Sequence, residues 1–185
     1  MLSYQHAYHA GNLADVHKHA LLAWMLGYLT AKDKPLSYIE THAGRGLYDL
    51  AAPEAVKTGE AAAGIRRAEA DGWFAPDHPY LRALAQVRAE RGPDAYPGSP
   101  LIAASLLRPD DRMHLAELHP QEHQSLTRNL GPWEAHIQLR DGLDMVLAGR
   151  PPVDVKTAQE AVLARELAAR KVTYTRSDGS PKVLP

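Results

Sequence analysis

Glycines and acidic residues that could hold a nucleoside occur at three separate points of the sequence. Each point adjoins a short apolar run: Gly44 and Gly46 follow residues 36–41, Glu117 ends residues 112–117, and Asp141 and Gly142 follow residues 136–140. Glycine carries no Cβ, so the backbone at Gly44 and Gly46 can approach a ligand closely. Glu117 can accept hydrogen bonds from both hydroxyls of a ribose.

The third point completes the pattern for an adenosyl group. Asp141 can accept a hydrogen bond from the exocyclic amine of an adenine, and Gly142 would leave room for the ring. Each of the three features alone is common as a turn, a cap or a surface charge. A glycine turn followed by two acids, in this order, predicts a site for an adenosyl cofactor.

The three apolar runs are predicted to be strands of one sheet. Helices are predicted between them, at residues 97–107 and 120–130. This alternation of strand and helix is typical of an α/β fold with a parallel sheet. In such sheets ligands bind at the edge formed by the carboxyl ends of the strands. The glycine turn and the two acids are therefore predicted to share one site.

A further helix is predicted before the first strand. Asn12 can cap it, Asp15 is its third residue, and Pro35 is predicted to end it. Apolar residues recur with helical spacing and predict the buried face: Val16, Ala20, Ala23, Trp24 and Leu26.

The sequence divides into three predicted parts. Residues 1–48 and 97–150 form the α/β domain, and residues 49–96 form a small helical insertion broken by glycines and prolines. Residues 151–185 form a tail with a helix at 157–171 and a hairpin of strands 172–175 and 182–184. The insertion has six basic and eight acidic residues, so it presents no basic surface of its own.

Composition excludes several classes of protein. The chain has no cysteine, so it can form neither a disulfide nor a thiolate metal site. Its net charge of −1 gives no overall attraction to nucleic acid. The first residues lack a cationic start followed by an apolar run, and the apolar stretch at 20–29 is too short to span a bilayer. We expect a cytoplasmic location and no membrane contact.

Histidines are numerous, and four of the ten fall within the first 19 residues. The pairs His6/His9 and His17/His19 have spacings that metal ligands sometimes show. No cysteine or well-placed acid completes such a site, so no metal is expected. Capping or packing is the alternative interpretation for His9 and His17.

Nine short motifs carry a resemblance to one known family. They are Tyr4-x-His6, His9-Ala10-Gly11-Asn12, Ala14-Asp15-Val16, Lys18-His19, Thr41-His42-Ala43-Gly44, Thr58-Gly59-Glu60, Tyr96-Pro97-Gly98-Ser99-Pro100 and Glu117-Leu118-His119-Pro120, followed by Asp141-Gly142. Over residues 1 to about 150 the sequence resembles the bacterial 23S ribosomal RNA adenine-N6 methyltransferases. The resemblance implies a Rossmann-like class I methyltransferase fold that uses S-adenosylmethionine.

The resemblance also implies roles for individual residues. The residues expected to line the S-adenosylmethionine pocket are Lys18, His19, His42, Ser99, Glu117, Asp141 and Gly142. Tyr4 and His6 are expected to face the target adenosine, which such enzymes flip out of its stack. The insertion would be the family's helical subdomain, which is thought to help hold 23S ribosomal RNA.

The sequence departs from the family pattern in one respect. The family's Asp-Pro-Pro-Tyr-type catalytic motif does not occur: Pro151-Pro152 stands between Arg150 and Val153-Asp154. Three functions therefore stay open, namely methyl transfer, non-catalytic binding of cofactor or RNA, and an assembly role that uses the tail. In the family's strand order the fourth strand lies beside the first. Either the tail hairpin or another chain then covers the open edge of the first strand, or the fold is strained, and we expect the chain to self-associate or to need its tail for solubility.

Overall fold

The computed structural model describes residues 5–148 and the two short strands at residues 174–175 and 181–182. The chain divides into two compact units, residues 1–145 and 146–185. In chain order the elements are a 3-10 helix at His6–Tyr8, α1 Leu13–Thr30, β1 Ser37–Glu40, β2 Leu47–Asp49, α2 Pro53–Thr58, α3 Glu60–Ala63, α4 Ile65–Ala70, α5 Pro79–Arg91, β3 Ala95–Pro97, α6 Ser99–Leu106, β4 Arg112–Glu117, α7 Pro120–Asn129, β5 Ala135–Leu139, α8 Gly142–Ala148, β6 Tyr174–Thr175 and β7 Pro181–Lys182.

The predicted parallel sheet is confirmed. Its strand order is β1-β4-β5, and both pairings are parallel. Glu40 pairs with Leu115 and Glu117 pairs with Leu139, so the three strands end at the same edge. The predicted strand at residues 112–117 matches β4, and the other two predictions match to within one residue at each end. The mixed α/β architecture is consistent with a Rossmann-like methyltransferase fold.

The first helix begins as predicted but ends earlier. The Asn12 side chain accepts a hydrogen bond from the backbone N–H of Asp15 at 2.9 Å, which confirms the cap. The helix ends at Thr30, and Pro35 lies in the following loop. The placement of Trp24 on the buried face was wrong, because its side chain is 57% exposed. Trp24 instead stacks on Tyr28 one turn further along the helix surface.

A two-stranded ribbon that the sequence did not predict joins the insertion to the sheet. β2 and β3 pair antiparallel, with Tyr48 opposite Tyr96. Strands of three residues are too short to show an alternating pattern, and all of Ala95–Pro97 is buried. Helices α2 to α5 lie between the two strands. The exact domain boundaries stay a prediction.

Two groups of buried side chains hold this arrangement together. One packs α1 against the insertion through residues such as Val16, Ile65, Tyr80 and Leu84. The other packs the sheet against α6 and α7, through residues such as Leu101, Leu115 and Leu126. Burial of these apolar side chains supplies the main stabilisation of the unit at residues 1–145.

The tail is described only at its two short strands. β6 and β7 pair antiparallel, with Tyr174 opposite Lys182, which confirms the predicted hairpin with shorter strands. The predicted helix at 157–171 lies outside the described residues. In the three-stranded sheet, β1 is an edge strand. The expected covering of this edge by another strand or chain stays a prediction.

The described residues contain no helix that is both long enough and apolar enough to cross a membrane. Within the same part of the chain, no three histidine, aspartate or glutamate side chains lie where they could hold a metal ion together.

Candidate functional site

One cavity of about 430 Å³ lies where β1, β4 and β5 end. It brings together most of the site residues expected from the sequence: His6, Lys18, His19, His42, Gly44, Ser99, Glu117, Asp141 and Gly142. Gly46 is not among its lining residues, and Tyr4 lies outside the described residues. Residues separated by up to 136 positions in the sequence (His6 and Gly142) therefore meet at one edge of the sheet.

The glycine turn after β1 passes directly along the cavity. Gly44 has φ +64° and Gly46 has φ +75°, backbone conformations that favour glycine. A Cβ on Gly44 would also lie 2.8 Å from the hydroxyl oxygen of Tyr48. Gly46 acts outside the cavity: its carbonyl accepts a hydrogen bond of 2.8 Å from Gly98 N–H, next to the first residue of α6.

Glu117 ties two of the loops at this edge together. Its Oε2 accepts a hydrogen bond from Gly44 N–H at 2.8 Å, and its Oε1 accepts one from His119 N–H at 2.7 Å. Each carboxylate oxygen has two lone pairs, so each keeps one for a ligand. Glu117 therefore fixes the glycine turn and still presents two acceptors to the cavity.

Asp141 caps the helix that follows β5. Its Oδ1 accepts hydrogen bonds from Leu143 N–H at 2.8 Å and Asp144 N–H at 3.2 Å. Among the described residues, no group donates to its Oδ2. The cap sets the direction of the carboxylate, and the second oxygen remains available to an amine.

Gly142 has a structural reason to be glycine that the sequence did not show. A Cβ there would lie 2.1 Å from the carbonyl oxygen of Thr41 and 2.4 Å from its Cα. The loops after β1 and β5 therefore touch at this position. The Thr41 backbone closes the space on one side of Gly142, and the room for an adenine ring on the cavity side stays a prediction.

Asp15 organises the amino-terminal side of the cavity. The side chain is fully buried; its Oδ2 lies 2.8 Å from His6 Nε2 and accepts a hydrogen bond from Gly11 N–H at 3.1 Å. Lys18 Nζ lies 3.1 Å from its Oδ1. Burial alone would raise the pKa of Asp15, but the hydrogen bond with His6 and the charges nearby lower that pKa to about 2. Asp15 thus stays ionised and holds both His6 and Lys18.

His19 reaches the cavity from the buried side of α1. Its Nδ1 lies 3.0 Å from the hydroxyl of Tyr96, and that hydroxyl lies 2.9 Å from the hydroxyl of Tyr80. Burial lowers the pKa of His19 to about 4, although the charge of Asp15 opposes this. The imidazole is therefore neutral at pH 7.

Glu40, the last residue of β1, contacts Ser99 but does not line the cavity itself. Its Oε1 accepts a hydrogen bond from the Ser99 hydroxyl, and its Oε2 accepts one of 2.9 Å from the Tyr38 hydroxyl. Burial raises the pKa of Glu40 to about 7, and the nearby Glu117 adds to this, while the two hydroxyls oppose it. Ser99 is thus held at the start of α6 by a residue outside the lining of the cavity.

Sequence reasoning missed several of these residues. Asp15 and Tyr96 were quoted in family motifs without a role of their own, apart from the place of Asp15 in a helix cap, and Glu40 was not considered. Their positions offered a signal, because Glu40 directly precedes the Thr41-His42-Ala43-Gly44 motif and Tyr96 opens the Tyr96-Pro97-Gly98-Ser99-Pro100 motif. His119, which also lines the cavity, has a buried Nδ1 without a hydrogen-bond partner in the described part of the chain.

A second cavity, of about 510 Å³, lies between the insertion and α7. Its charged side chains balance in sign: Arg45, Arg91 and Arg128 face Asp49, Glu54 and Asp94. The cavity therefore offers no purely basic path for a nucleic acid, and the insertion as a whole has an excess of acidic residues.

Comparison with known proteins gives one consistent family. The sequence model of the family described as "Ribosomal RNA large subunit methyltransferase D, RlmJ" matches residues 33–159. The proteins called "Ribosomal RNA large subunit methyltransferase J" from Escherichia coli (strain K12) and from Haemophilus influenzae are each 40% identical to this chain over 159 residues. The matches cover 83% and 82% of this chain and 55% of each relative.

A solved structure agrees with the sequence matches. The crystal structure of protein LPL1258 from Legionella pneumophila is 38% identical, with a TM-score of 0.66, and the match covers 78% of this chain and 54% of that one. The chain spans about half the length of the relatives it matches. On the strength of the family match and these similarities, the chain belongs to the RlmJ family of ribosomal RNA large subunit methyltransferases.

Proposed function

We propose that this chain forms the S-adenosylmethionine-binding part of an enzyme that methylates N6 of an adenine in 23S ribosomal RNA. The observation that carries the proposal is the meeting of the glycine turn, Glu117 and Asp141 in one cavity at the carboxyl edge of a parallel sheet. Family membership supports methyl transfer to ribosomal RNA, and a methyltransferase of this class uses S-adenosylmethionine in general. The particular residues that bind it are our assignment.

The residues present fit this cofactor. A volume of about 430 Å³ falls within the range of small-molecule sites. Glu117 keeps one free lone pair on each oxygen, which matches the two hydroxyls of a ribose. The free Oδ2 of Asp141 matches a single amine donor. The set of acceptors therefore complements the hydroxyl and amine donors of an adenosine group in both number and polarity.

The chain's own residues would act by binding and positioning. Bound S-adenosylmethionine would supply the reactive methyl group of its sulfonium. Glu117 and Asp141 would hold the adenosine part, and Gly44 would allow close approach of the backbone. Lys18, His19, His42 and Ser99 would complete the wall of the cavity. Positioning of this kind lowers the barrier by removing the entropic cost of bringing the reactants together.

The target adenine would enter from the side of the amino terminus. His6 lines the cavity there, and its contact with Asp15 and its edge-to-face packing on Tyr48, with ring centroids 5.1 Å apart, hold the ring in place. We assign His6 and Tyr4 to the flipped base. The printed sequence contains no Asp-Pro-Pro-Tyr-type motif to accept hydrogen bonds from the amine.

RNA contact by the insertion is part of the same proposal. The insertion has more acidic than basic residues, so contact would depend on shape and on individual side chains rather than on net positive charge. Binding of RNA would accordingly depend less on salt than binding by a basic patch. The proposed partners are 23S ribosomal RNA and, at the free edge of β1, a second copy or another chain.

A transfer assay separates the three functions that the sequence left open. Purified chain is mixed with radiolabelled S-adenosylmethionine and a large-subunit RNA transcript; we expect the labelled cofactor to be bound, and N6-methyladenosine detected after nuclease digestion would show that the chain also transfers the methyl group without an Asp-Pro-Pro-Tyr-type motif. The Glu117→Ala variant serves as the inactive control. Cofactor binding without transfer would support the binding function instead. Absence of both binding and transfer in a folded chain would favour the assembly role and contradict the proposal.

A further inference from the structure

A chain of two hydroxyls and one imidazole connects the helical insertion to the cavity. Tyr80 lies in α5 of the insertion, Tyr96 lies in β3, and His19 lies in α1 and lines the cavity. The two tyrosines are fully buried, and His19 is 5% exposed. The hydroxyls lie 2.9 Å apart, and that of Tyr96 lies 3.0 Å from His19 Nδ1. Both distances are those of hydrogen bonds.

The number of donors decides the direction of these hydrogen bonds. If Tyr80 donates to Tyr96 and Tyr96 donates to His19 Nδ1, both buried hydroxyl protons have an acceptor. In the reverse direction, His19 Nδ1–H would donate to Tyr96, Tyr96 would donate to Tyr80, and the proton of Tyr80 would have no acceptor within the described residues. A buried donor left without an acceptor is costly, so the first direction is favoured.

The direction of these hydrogen bonds determines which nitrogen of the His19 ring carries the proton. A neutral imidazole carries one proton, and Nδ1 is the acceptor in the favoured direction. The proton therefore sits on Nε2, and no described residue accepts a hydrogen bond from that atom. Because the ring borders the cavity, the Nε2–H is available to a ligand there.

We infer that Tyr96 and Tyr80 are positioning residues that hold His19 in its Nε2–H form, so that His19 donates a hydrogen bond to an oxygen acceptor of the bound ligand. An amine at this point of the ligand would face a donor and be disfavoured, whereas a carboxylate or carbonyl oxygen would be selected. Lys18 directly precedes His19 in α1 and lines the same cavity, and its ammonium favours a carboxylate. The tautomer follows from the hydrogen-bond geometry together with the neutral state of the buried imidazole; only the identity of the ligand rests on the proposed function.

Nitrogen NMR of the ligand-free chain tests the tautomer directly. Long-range proton–nitrogen correlation spectra at pH 7.5, with His19 assigned through a His19→Gln variant, are expected to show a protonated Nε2 and an unprotonated Nδ1. Tyr96→Phe is expected to give a mixture of both tautomers, because Nδ1 loses its donor. Tyr80→Phe is expected to keep the Nε2–H form, because Tyr96 can still donate to His19. An Nδ1–H form in the unmodified chain would overturn the inference, even if a variant failed to fold.

A titration with S-adenosylhomocysteine tests the consequence for the ligand. We expect Tyr96→Phe to weaken binding by about tenfold and Tyr80→Phe by less than about threefold, which corresponds to the loss of roughly one hydrogen bond in the first case. Tyr28→Phe, at an exposed tyrosine, is the matched control. Unchanged affinity and an unchanged tautomer in a folded Tyr96→Phe variant would overturn the inference. An Nε2–H tautomer in a chain that binds no S-adenosylhomocysteine would support the inference and contradict the proposed function.

Discussion

Replacing Glu117 with alanine is expected to weaken the binding of S-adenosylhomocysteine by at least about 100-fold, or roughly 3 kcal/mol. The change removes the two acceptors offered to the ligand. It also leaves the N–H groups of Gly44 and His119 without their carboxylate partner, so the glycine turn loses its attachment to β4. Calorimetric titration of both proteins measures the difference.

Two further variants show whether the effect is specific to Glu117. Glu134→Ala removes an exposed acid just before β5 and should leave the affinity unchanged. Glu117→Gln keeps one carbonyl acceptor but places an amide donor opposite a backbone N–H, so its loss of affinity should be close to that of alanine. A Glu117→Ala variant that binds as tightly as the parent would show that this cavity is not the ligand site.

Replacing Gly142 with alanine is expected to destabilise the fold by about 3 kcal/mol or more. The new Cβ would lie 2.1 Å from the carbonyl oxygen of Thr41, and the neighbouring atoms belong to the Thr41 backbone and Cβ, which cannot rotate away. The loops after β1 and β5 would have to separate, and Asp141 would shift with them. Urea unfolding followed by circular dichroism measures the change.

Gly131→Ala is the matched control for this prediction. A new Cβ at Gly131 would lie 3.4 Å from its nearest neighbour, the Arg128 carbonyl oxygen, which is an ordinary van der Waals contact. We expect this variant to unfold within about 1 kcal/mol of the parent. Equal stability of the Gly142→Ala and Gly131→Ala variants would show that the two loops are not packed as described.

The sequence was most informative where the pattern was local and repeated. The three strands of the sheet follow from apolar runs, and the Asn12 cap follows from residue type and spacing. The glycine turn, Glu117 and Asp141 could be grouped because each adjoins a predicted strand end, whereas the other site residues, such as Lys18 and His19, were implied only by the family resemblance. In parallel sheets the carboxyl ends of the strands meet, so neighbours in space could be inferred without knowing any contact.

What the sequence could not predict depends on contacts between distant segments. Trp24 has the spacing of a buried residue, but it lies in the apolar stretch at residues 20–29, where only tertiary packing decides which side of the helix is covered. The role of Asp15 comes from His6, nine positions away, and that of Tyr96 from His19, 77 positions away. Neither pair follows from periodicity.

Glycine residues show the same limit in another form. The positive φ of Gly44 agrees with a turn that the sequence predicted. The ligand role given to Gly142 stays a prediction; the structure adds a contact that the sequence did not indicate, because Gly142 lines the cavity and also lies against the Thr41 backbone. Residue type indicates that a close approach occurs, but it does not indicate what approaches.

Calorimetric titration of the unmodified chain with S-adenosylhomocysteine tests the central claim most directly. A parallel titration with adenosine separates recognition of the nucleoside from recognition of the amino-acid part, and a cooperative thermal transition of the same sample establishes that the chain is folded. We predict saturable one-site binding of S-adenosylhomocysteine at micromolar strength, with weaker binding of adenosine. A folded chain that binds neither compound would contradict the assignment of this cavity as a cofactor site.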